Sequence, residues 1–168
     1  IQDGEMKVLD HEGDNFLGGA DFDRMIVENF VIPHLEKEGS FENLKNEMQS
    51  ATGKYNTLYY KCLHKAEQAK IELSARTSAE IEIICDDDED EEIDTVLMIT
   101  RSEFENMIKS AIDGTIEMVK KIITRNSLLL TDLQFVLMVG GSTYIPYVRK
   151  RVAAVSYTHL TLPTNRCV

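Results

Sequence analysis

Five consecutive apolar residues, Phe135–Val139, are followed at once by two glycines, and this run constrains the fold more than any other feature. A strand with no polar residue on either face is typical of a parallel sheet that helices cover on both sides. Gly140 and Gly141 allow a sharp turn, and Pro146 suits the first turn of a following helix. The order strand, glycine turn, helix therefore predicts an α/β fold.

Helical and strand patterns alternate through the rest of the chain. In Tyr55–Ala75 apolar residues recur at steps of three and four, which predicts one long helix. Ala79–Ile84 alternates acidic and apolar residues and Thr95–Ile99 returns, so we expect a β-hairpin. The seven acids of Asp86–Glu92 should form its solvated turn. Met6–Leu9 predicts a further short strand.

Two helix boundaries carry clear signals. Thr100 followed by Glu103 is a capping box, which predicts a helix that starts there and continues to about Thr124. In the helical pattern of Ala20–Glu38, Pro33 lacks a backbone donor. We therefore expect Pro33 to kink that helix or to begin a new one.

The charge balance excludes several partner classes. Eighteen basic against 29 acidic residues give a net charge of −11, which argues against nucleic acid or an anionic membrane as the main partner. The chain has no apolar run of the roughly 20 residues that a membrane span needs. Its three cysteines are far apart and its four histidines lack metal-ligand spacing. We expect a soluble cytoplasmic protein.

Two groups of residues could bind a ligand. The backbone at Gly140 and Gly141 could approach a phosphate closely, but an ordinary tight turn is an equal alternative because no Walker lysine and no GxGxxG motif is present. On the long helix, Glu67, Lys70 and Ser74 share one face and could hold a polyol such as ribose. Spacing alone favours a solvated face with a Glu–Lys pair.

A second glycine pair, Gly18–Gly19, enters a helix at Leu17–Asp21. Its free backbone amides could meet an anion. Asp21 is well positioned to be the N-cap of that helix, and capping is the simpler interpretation of this segment.

Together these segments resemble the ATPase domain of the heat-shock protein 70 (DnaK-type) chaperone family. The similarity covers about residues 4–154. It is carried, in order, by GDNFLGGADFD at Gly13–Asp23, AEQAKIELS at Ala66–Ser74, ITRSEF at Ile99–Phe104 and VGGSTYIP at Val139–Pro146. Four motifs in the same order are much more specific than any one alone.

The resemblance implies an α/β fold that is the second lobe of an actin-like (ribonuclease H-like) ATPase. Residues 1–17 with 109–154 would form the sheet-based subdomain beneath the nucleotide. Residues 18–108 would form a smaller α+β outer subdomain. The tail, residues 155–168, resembles nothing in the family, and we expect it to be unstructured.

The resemblance also implies which residues contact the nucleotide. In such proteins Glu67 and Lys70 would lie beside the ribose, Ser74 near the adenine and Gly19 toward the phosphates. The full implied set is Gly19, Glu67, Lys70, Ser74, Gly140, Gly141, Ser142, Tyr144 and Ile145. The family usually has an arginine at the position of Tyr144, so a ring replaces a cation beside the base.

The function implied is that of a fragment of an ATP-dependent, stress-response protein-folding chaperone. The fragment would carry half of an ATP/ADP cleft, with magnesium bound in the full-length protein. Implied partners are unfolded clients, a J-domain co-chaperone and a nucleotide exchange factor. We expect no ATPase activity from the chain alone, because groups from both lobes must converge on the phosphate. Two alternatives remain: a kinase of the actin-like ATPase superfamily, and an acidic, non-enzymatic interaction module.

Overall fold

Two compact units make up the chain. The computed structural model describes residues 7–39, 43–86, 92–156 and 160–161. One unit comprises Ile1–Leu17 with Lys109–Val168, and the other comprises Gly18–Ile108. The middle of the predicted acidic turn, residues 87–91, lies outside the described residues, as do residues 40–42.

The described residues form a mixed α/β structure with two small sheets. A π-helical segment, Val27–Val31, joins the first two helices, and 3₁₀ turns lie at Leu130–Asp132 and Gly141–Tyr144. In chain order the elements are α1 (Gly19–Ile26), α2 (Ile32–Glu38), α3 (Leu44–Gln49), α4 (Asn56–Leu73), β1 (Ser78–Asp86), β2 (Glu92–Thr100), α5 (Arg101–Arg125), β3 (Val136–Leu137), α6 (Pro146–Ser156) and β4 (Leu160–Thr161). No described helix is both long and apolar enough to cross a membrane.

Pro33 changes the type of helix and does not break it. Because proline has no backbone N–H, a regular α-helical hydrogen bond cannot form at this position. The π-helical segment ends just before it, where the Ile32 amide donates to the Val27 carbonyl. The imidazole Nδ1 of His34 lies 2.6 Å from the Phe30 carbonyl oxygen. The expected boundary at Pro33 therefore takes the form of a shift in hydrogen-bond register.

The predicted hairpin is confirmed. β1 and β2 pair antiparallel, from Ser78 opposite Thr100 to Asp86 opposite Glu92. Alternate residues point to opposite faces of a strand, so one face can be buried while the other is solvated. The buried face carries Ala79, Ile81, Ile83, Leu97 and Ile99.

The long helix α4 also matches its prediction. Its apolar stripe is buried at every position that the spacing indicated: Leu58, Cys62, Ala66, Ala69 and Leu73. This stripe packs toward β1 and α1. The core of the second unit, Gly18–Ile108, therefore lies between α4 and two other elements. These are α1, which follows the helix entry at Leu17–Gly19 (the LGG entry), and the β1–β2 hairpin.

The capping box at the start of α5 is confirmed in both directions. The Thr100 amide donates to Glu103 Oε2 at 2.8 Å, and the Glu103 amide donates to Thr100 Oγ1 at 3.3 Å. The Thr100 hydroxyl, which donates to Glu103 Oε2 at 2.6 Å, and the Thr100 amide lower the pKa of the Glu103 carboxyl. α5 then runs to Arg125, one residue beyond the predicted end.

The strand at Phe135–Val139 is shorter and more exposed than predicted. β3 pairs in parallel with β4, and Val136 lies opposite Leu160. One face carries Phe135, Leu137 and Val139, which are 59%, 58% and 71% exposed, while Met138 on the other face is buried. The prediction that the strand is buried on both faces is wrong, because no layer of described residues covers the face that carries Phe135, Leu137 and Val139.

Two terminal predictions also differ from the structure. Of the strand predicted at Met6–Leu9, Lys7–Leu9 pairs with no described strand, and Met6 lies outside the described residues. The tail was expected to be unstructured from residue 155, yet α6 extends to Ser156 and Leu160–Thr161 is β4. Helical hydrogen bonds and the edge of β3 provide backbone partners there that sequence periodicity did not reveal.

A carboxylate clamp anchors the N-terminal segment of the first unit. Arg125 donates from Nε to Asp10 Oδ2 at 2.8 Å and from Nη2 to Asp10 Oδ1 at 2.7 Å. Asn126 Nδ2 adds a bond of 2.6 Å to Oδ2. These donors hold the pKa of Asp10 at about 2, below its ordinary 3.8.

The clamp predicts a distinctive acid sensitivity. A carboxylate with a depressed pKa stabilises the fold above its unfolded pKa of about 4, and that stabilisation is lost as the pH falls toward 2. We expect Asp10→Asn to lower the Tm at pH 7, and the difference from wild type to shrink between pH 4 and 2. Thermal melts across this range, with the exposed Asp94→Asn as control, would contradict the clamp if both variants behaved alike.

Candidate functional site

The three residues of the predicted ligand face lie within α4 or at its C-cap, and they are in different environments. Glu67 is exposed, whereas Lys70 and Ser74 are half-buried. The Ser74 hydroxyl donates to the Lys70 carbonyl at 3.4 Å, a long bond back onto its own helix. Of the three side chains, Glu67 is therefore the most accessible to a ligand.

Lys70 is engaged by two groups of α1. Its Nζ lies 2.7 Å and 2.8 Å from the two carboxylate oxygens of Asp23. The same ammonium donates to the Gly19 carbonyl at 2.9 Å. Lys70 and Gly19, two of the predicted site residues, are therefore in contact through this hydrogen bond to the Gly19 carbonyl. The ammonium uses two of its three donors in these hydrogen bonds, to Asp23 Oδ2 and to the Gly19 carbonyl, while the buried Asp23 Oδ1 has no hydrogen-bond partner among the described residues.

Asp23 is a member of this cluster that the sequence patterns did not indicate. The side chains of Lys70 and Asp23 are only 14% and 10% exposed, so both charges are nearly buried. The available signal was Asp23 on the apolar stripe of α1, whose other buried members are Phe22 and Ile26. A charged residue on such a stripe indicates a buried partner of opposite charge.

Burial raises the pKa of Asp23 even with Lys70 beside it. Desolvation of the carboxylate is the largest cause of the raised pKa, and the hydrogen bond and charge of Lys70 oppose it. The negative charges of Glu67 and Asp21 act in the same direction as desolvation. The pair is therefore costly to bury, although leaving either charge alone would cost more.

Breaking this pair should destabilise the second unit strongly. We expect Lys70→Ala to lower the free energy of unfolding by roughly 3–5 kcal/mol at pH 8, since a buried carboxylate then lacks its partner. The loss should be smaller at pH 5, because a group whose folded pKa is raised is tolerated better when it is protonated. Urea denaturation at both pH values measures this.

Two further variants test the same ion pair. Lys61→Ala, an exposed position on the same helix, should be nearly neutral. The double variant Asp23→Leu/Lys70→Met should recover most of the stability, because apolar residues of similar volume carry no desolvation cost. Equal losses in the single and double variants would show that packing, not charge pairing, sets the stability.

The helix entry at LGG is capped differently from the prediction. Gly18 is the N-cap of α1, and Asp21 occupies the third helical position. The Asp21 carboxylate accepts a hydrogen bond of 2.8 Å from the Gly18 amide. Asp21 therefore caps the helix from inside its first turn, and the prediction that it is the N-cap is wrong by three residues.

The glycine turn after β3 borders open space. Gly140 has φ +98°, a conformation that L side chains rarely adopt. Its carbonyl accepts bonds from the Thr143 amide at 3.1 Å and the Thr143 hydroxyl at 2.6 Å. A side chain added at Gly140 or Gly141 would meet no atom within 4 Å. The backbone of this turn is thus accessible, with Ser142 half-buried beside it.

The residues after the turn divide between core and surface. Ile145, one of the predicted site residues, is 2% exposed, so its side chain belongs to the core. Only its backbone could contact a ligand. Tyr144 is 42% exposed. The guanidinium carbon of Arg149 lies over its ring, 5.7 Å from the ring centre. Arg149 is a second residue that the sequence analysis missed.

The predicted site residues fall in both units. Gly19, Glu67, Lys70 and Ser74 belong to the Gly18–Ile108 unit, and the residues of the glycine turn belong to the other unit. Among the described residues, no group of three or more His, Cys, Asp or Glu side chains is arranged to hold a metal ion.

Comparisons with known proteins agree with one another. The family model described as "Hsp70 protein" matches residues 1–161. The chain is 35% identical over 156 residues to the chaperone protein DnaK of Mycoplasmopsis pulmonis, covering 92% of this chain and 24% of that protein. It is 34% identical over 157 residues to the mitochondrial-type heat shock protein 70 of Encephalitozoon cuniculi, covering 92% and 25%. The chain thus spans about a quarter of the length of the curated relatives it matches.

Proposed function

The chain belongs to the Hsp70 family, and from this premise we propose that it forms the second lobe of an actin-like ATPase domain. Residues 1–17 with 109–154 would be its sheet-based subdomain, and residues 18–108 its outer α+β subdomain. The parallel pairing of β3 with β4 and the antiparallel hairpin of β1 and β2 support this assignment. The family match extends to residue 161. It therefore includes β4, which lies beyond the boundary proposed at residue 154.

The ligand we propose is ATP or ADP. The observation that carries the proposal is the glycine turn at the carboxyl end of β3, whose backbone borders open space beside the exposed ring of Tyr144. Ligands of α/β proteins commonly bind at the carboxyl ends of parallel strands. Gly140, Gly141 and Ser142 would contact the nucleoside and phosphates through backbone and hydroxyl groups, and Tyr144 would stack on the base.

On the outer subdomain we propose divided roles for the α4 face. Glu67 is exposed and would accept hydrogen bonds from the ribose hydroxyls. Lys70 is held by Asp23 and Gly19, so its contribution would be to position α4 against the LGG entry. Ser74 at the end of α4 would lie near the adenine, and the Gly19 amide would face the phosphates.

At the level of the whole protein we propose an ATP-dependent protein-folding chaperone. The relatives are named chaperone protein DnaK and heat shock protein 70, which supports this function over the kinase alternative. Clients, a J-domain co-chaperone, a nucleotide exchange factor and bound magnesium belong to that proposal for the whole protein. A cytoplasmic location stays a prediction, since one relative is named mitochondrial-type.

Titration of ¹⁵N-labelled protein with adenosine and with ADP tests the nucleoside site. We expect amide peaks of Glu67–Ser74 and Gly140–Tyr144 to shift together, with weak and similar affinities for the two ligands. Contacts between the phosphates and the amides of Gly19 and Gly141 would give ADP a modest advantage. Shifts confined to the hairpin, or none at millimolar ligand, would contradict the proposal and favour the acidic interaction module.

A pair of glycine variants sharpens the test. Gly140→Ala puts a side chain at φ +98° and should weaken adenosine binding, because the turn must change its conformation. Gly114→Ala is the matched control, since a side chain there also meets no atom within 4 Å and the residue lies within α5. Equal adenosine affinity in the two variants would show that the turn is not part of the site.

A further inference from the structure

We propose that Arg149 is a specificity-determining residue of the nucleoside site. Its guanidinium would hold the ring of Tyr144 and supply positive charge to the surface on which a purine base stacks. This inference rests on the proposed function and assigns a role to a residue outside the predicted nucleotide-contacting set.

Arg149 is fixed to the glycine turn by two backbone contacts. Its Nε donates to the Thr143 carbonyl at 3.0 Å, and its amide donates to the Ile145 carbonyl at 3.3 Å. Both acceptors flank Tyr144 in sequence. Because the guanidinium is a planar, rigid fork, the Nε bond restricts its orientation as well as its position.

Tyr144 presents an aromatic surface beside this cation. The guanidinium lies over the ring at 5.7 Å from its centre, within the distance of a cation–π interaction. Ile145, the next residue, is buried in the core, which fixes the backbone from which the ring projects. Tyr144 as a residue is 42% exposed, and a base would stack on the exposed part of its ring.

The other cations of α6 are arranged differently. Arg151 donates from Nε to Asp113 Oδ1 at 2.7 Å and so connects α6 to α5. Lys150 is exposed. Arg149 is thus the cation of α6 that contacts the glycine turn. A tyrosine ring with a guanidinium over it favours stacking on the larger π surface of a purine over that of a pyrimidine.

Nucleoside titrations of matched variants test this role. Adenosine and uridine are neutral, so their affinities are insensitive to the long-range charge of the protein. Relative to wild type, we expect R149Q to weaken adenosine binding about 2- to 5-fold, because the Tyr144 ring is no longer held in position and the stacking surface loses its positive charge. Uridine binding should change less, so the preference for adenosine narrows. K150Q should leave both affinities unchanged.

The readouts are amide shifts of Gly140–Tyr144 and the ring-proton shifts of Tyr144 on adding adenosine. R149K, which keeps the charge without the planar fork, provides a second variant and should recover part of the lost affinity. If the ratio of adenosine affinity to uridine affinity were the same in wild type and R149Q, the proposed role of Arg149 would be overturned. The proposed nucleoside site would still stand. Absence of adenosine shifts in wild type would overturn the proposed function itself.

Discussion

The buried pair of Asp23 and Lys70 is the interaction on which the second unit depends. It connects the first helix after the LGG entry to the long helix α4, across 47 residues of sequence. A carboxylate and an ammonium that are both removed from water must meet with good geometry, so only one alignment of α1 on α4 satisfies them. Apolar contacts between the same helices tolerate small sliding motions, whereas this pair does not. The face proposed to meet ribose therefore inherits its position from a residue that contacts no ligand.

Local patterns in the sequence predicted the local structure well. The stripe of α4, the alternation of β1 and β2, and the capping box at Thr100 each depend on residues within a few positions of one another. The predicted burial of Phe135–Val139 failed because burial depends on which layers cover a strand. Likewise, Lys7–Leu9 has β-prone residues but no pairing partner among the described strands. Strand composition indicates a tendency, and pairing decides the outcome.

The candidate site shows the same division. Spacing predicted that Glu67, Lys70 and Ser74 share one face of a helix, but it could not show that Asp23 engages Lys70. The motif GGST-Tyr indicated Tyr144. Arg149 lies five residues further along the chain, and its guanidinium lies over the Tyr144 ring. Ile145, inside the same motif, is a core residue. Motif membership alone did not separate residues that face solvent from those that face the core.

The exposed face of β3 has a consequence for the behaviour of concentrated solutions. Phe135, Leu137 and Val139 form an apolar row along a short strand, a surface that favours association between molecules. The net charge of −11 opposes that association through mutual repulsion. This repulsion is screened beyond about 8 Å at physiological ionic strength, whereas attraction between apolar surfaces is not. We therefore expect added salt to favour association between molecules through this strand face, and dilute buffer to oppose it.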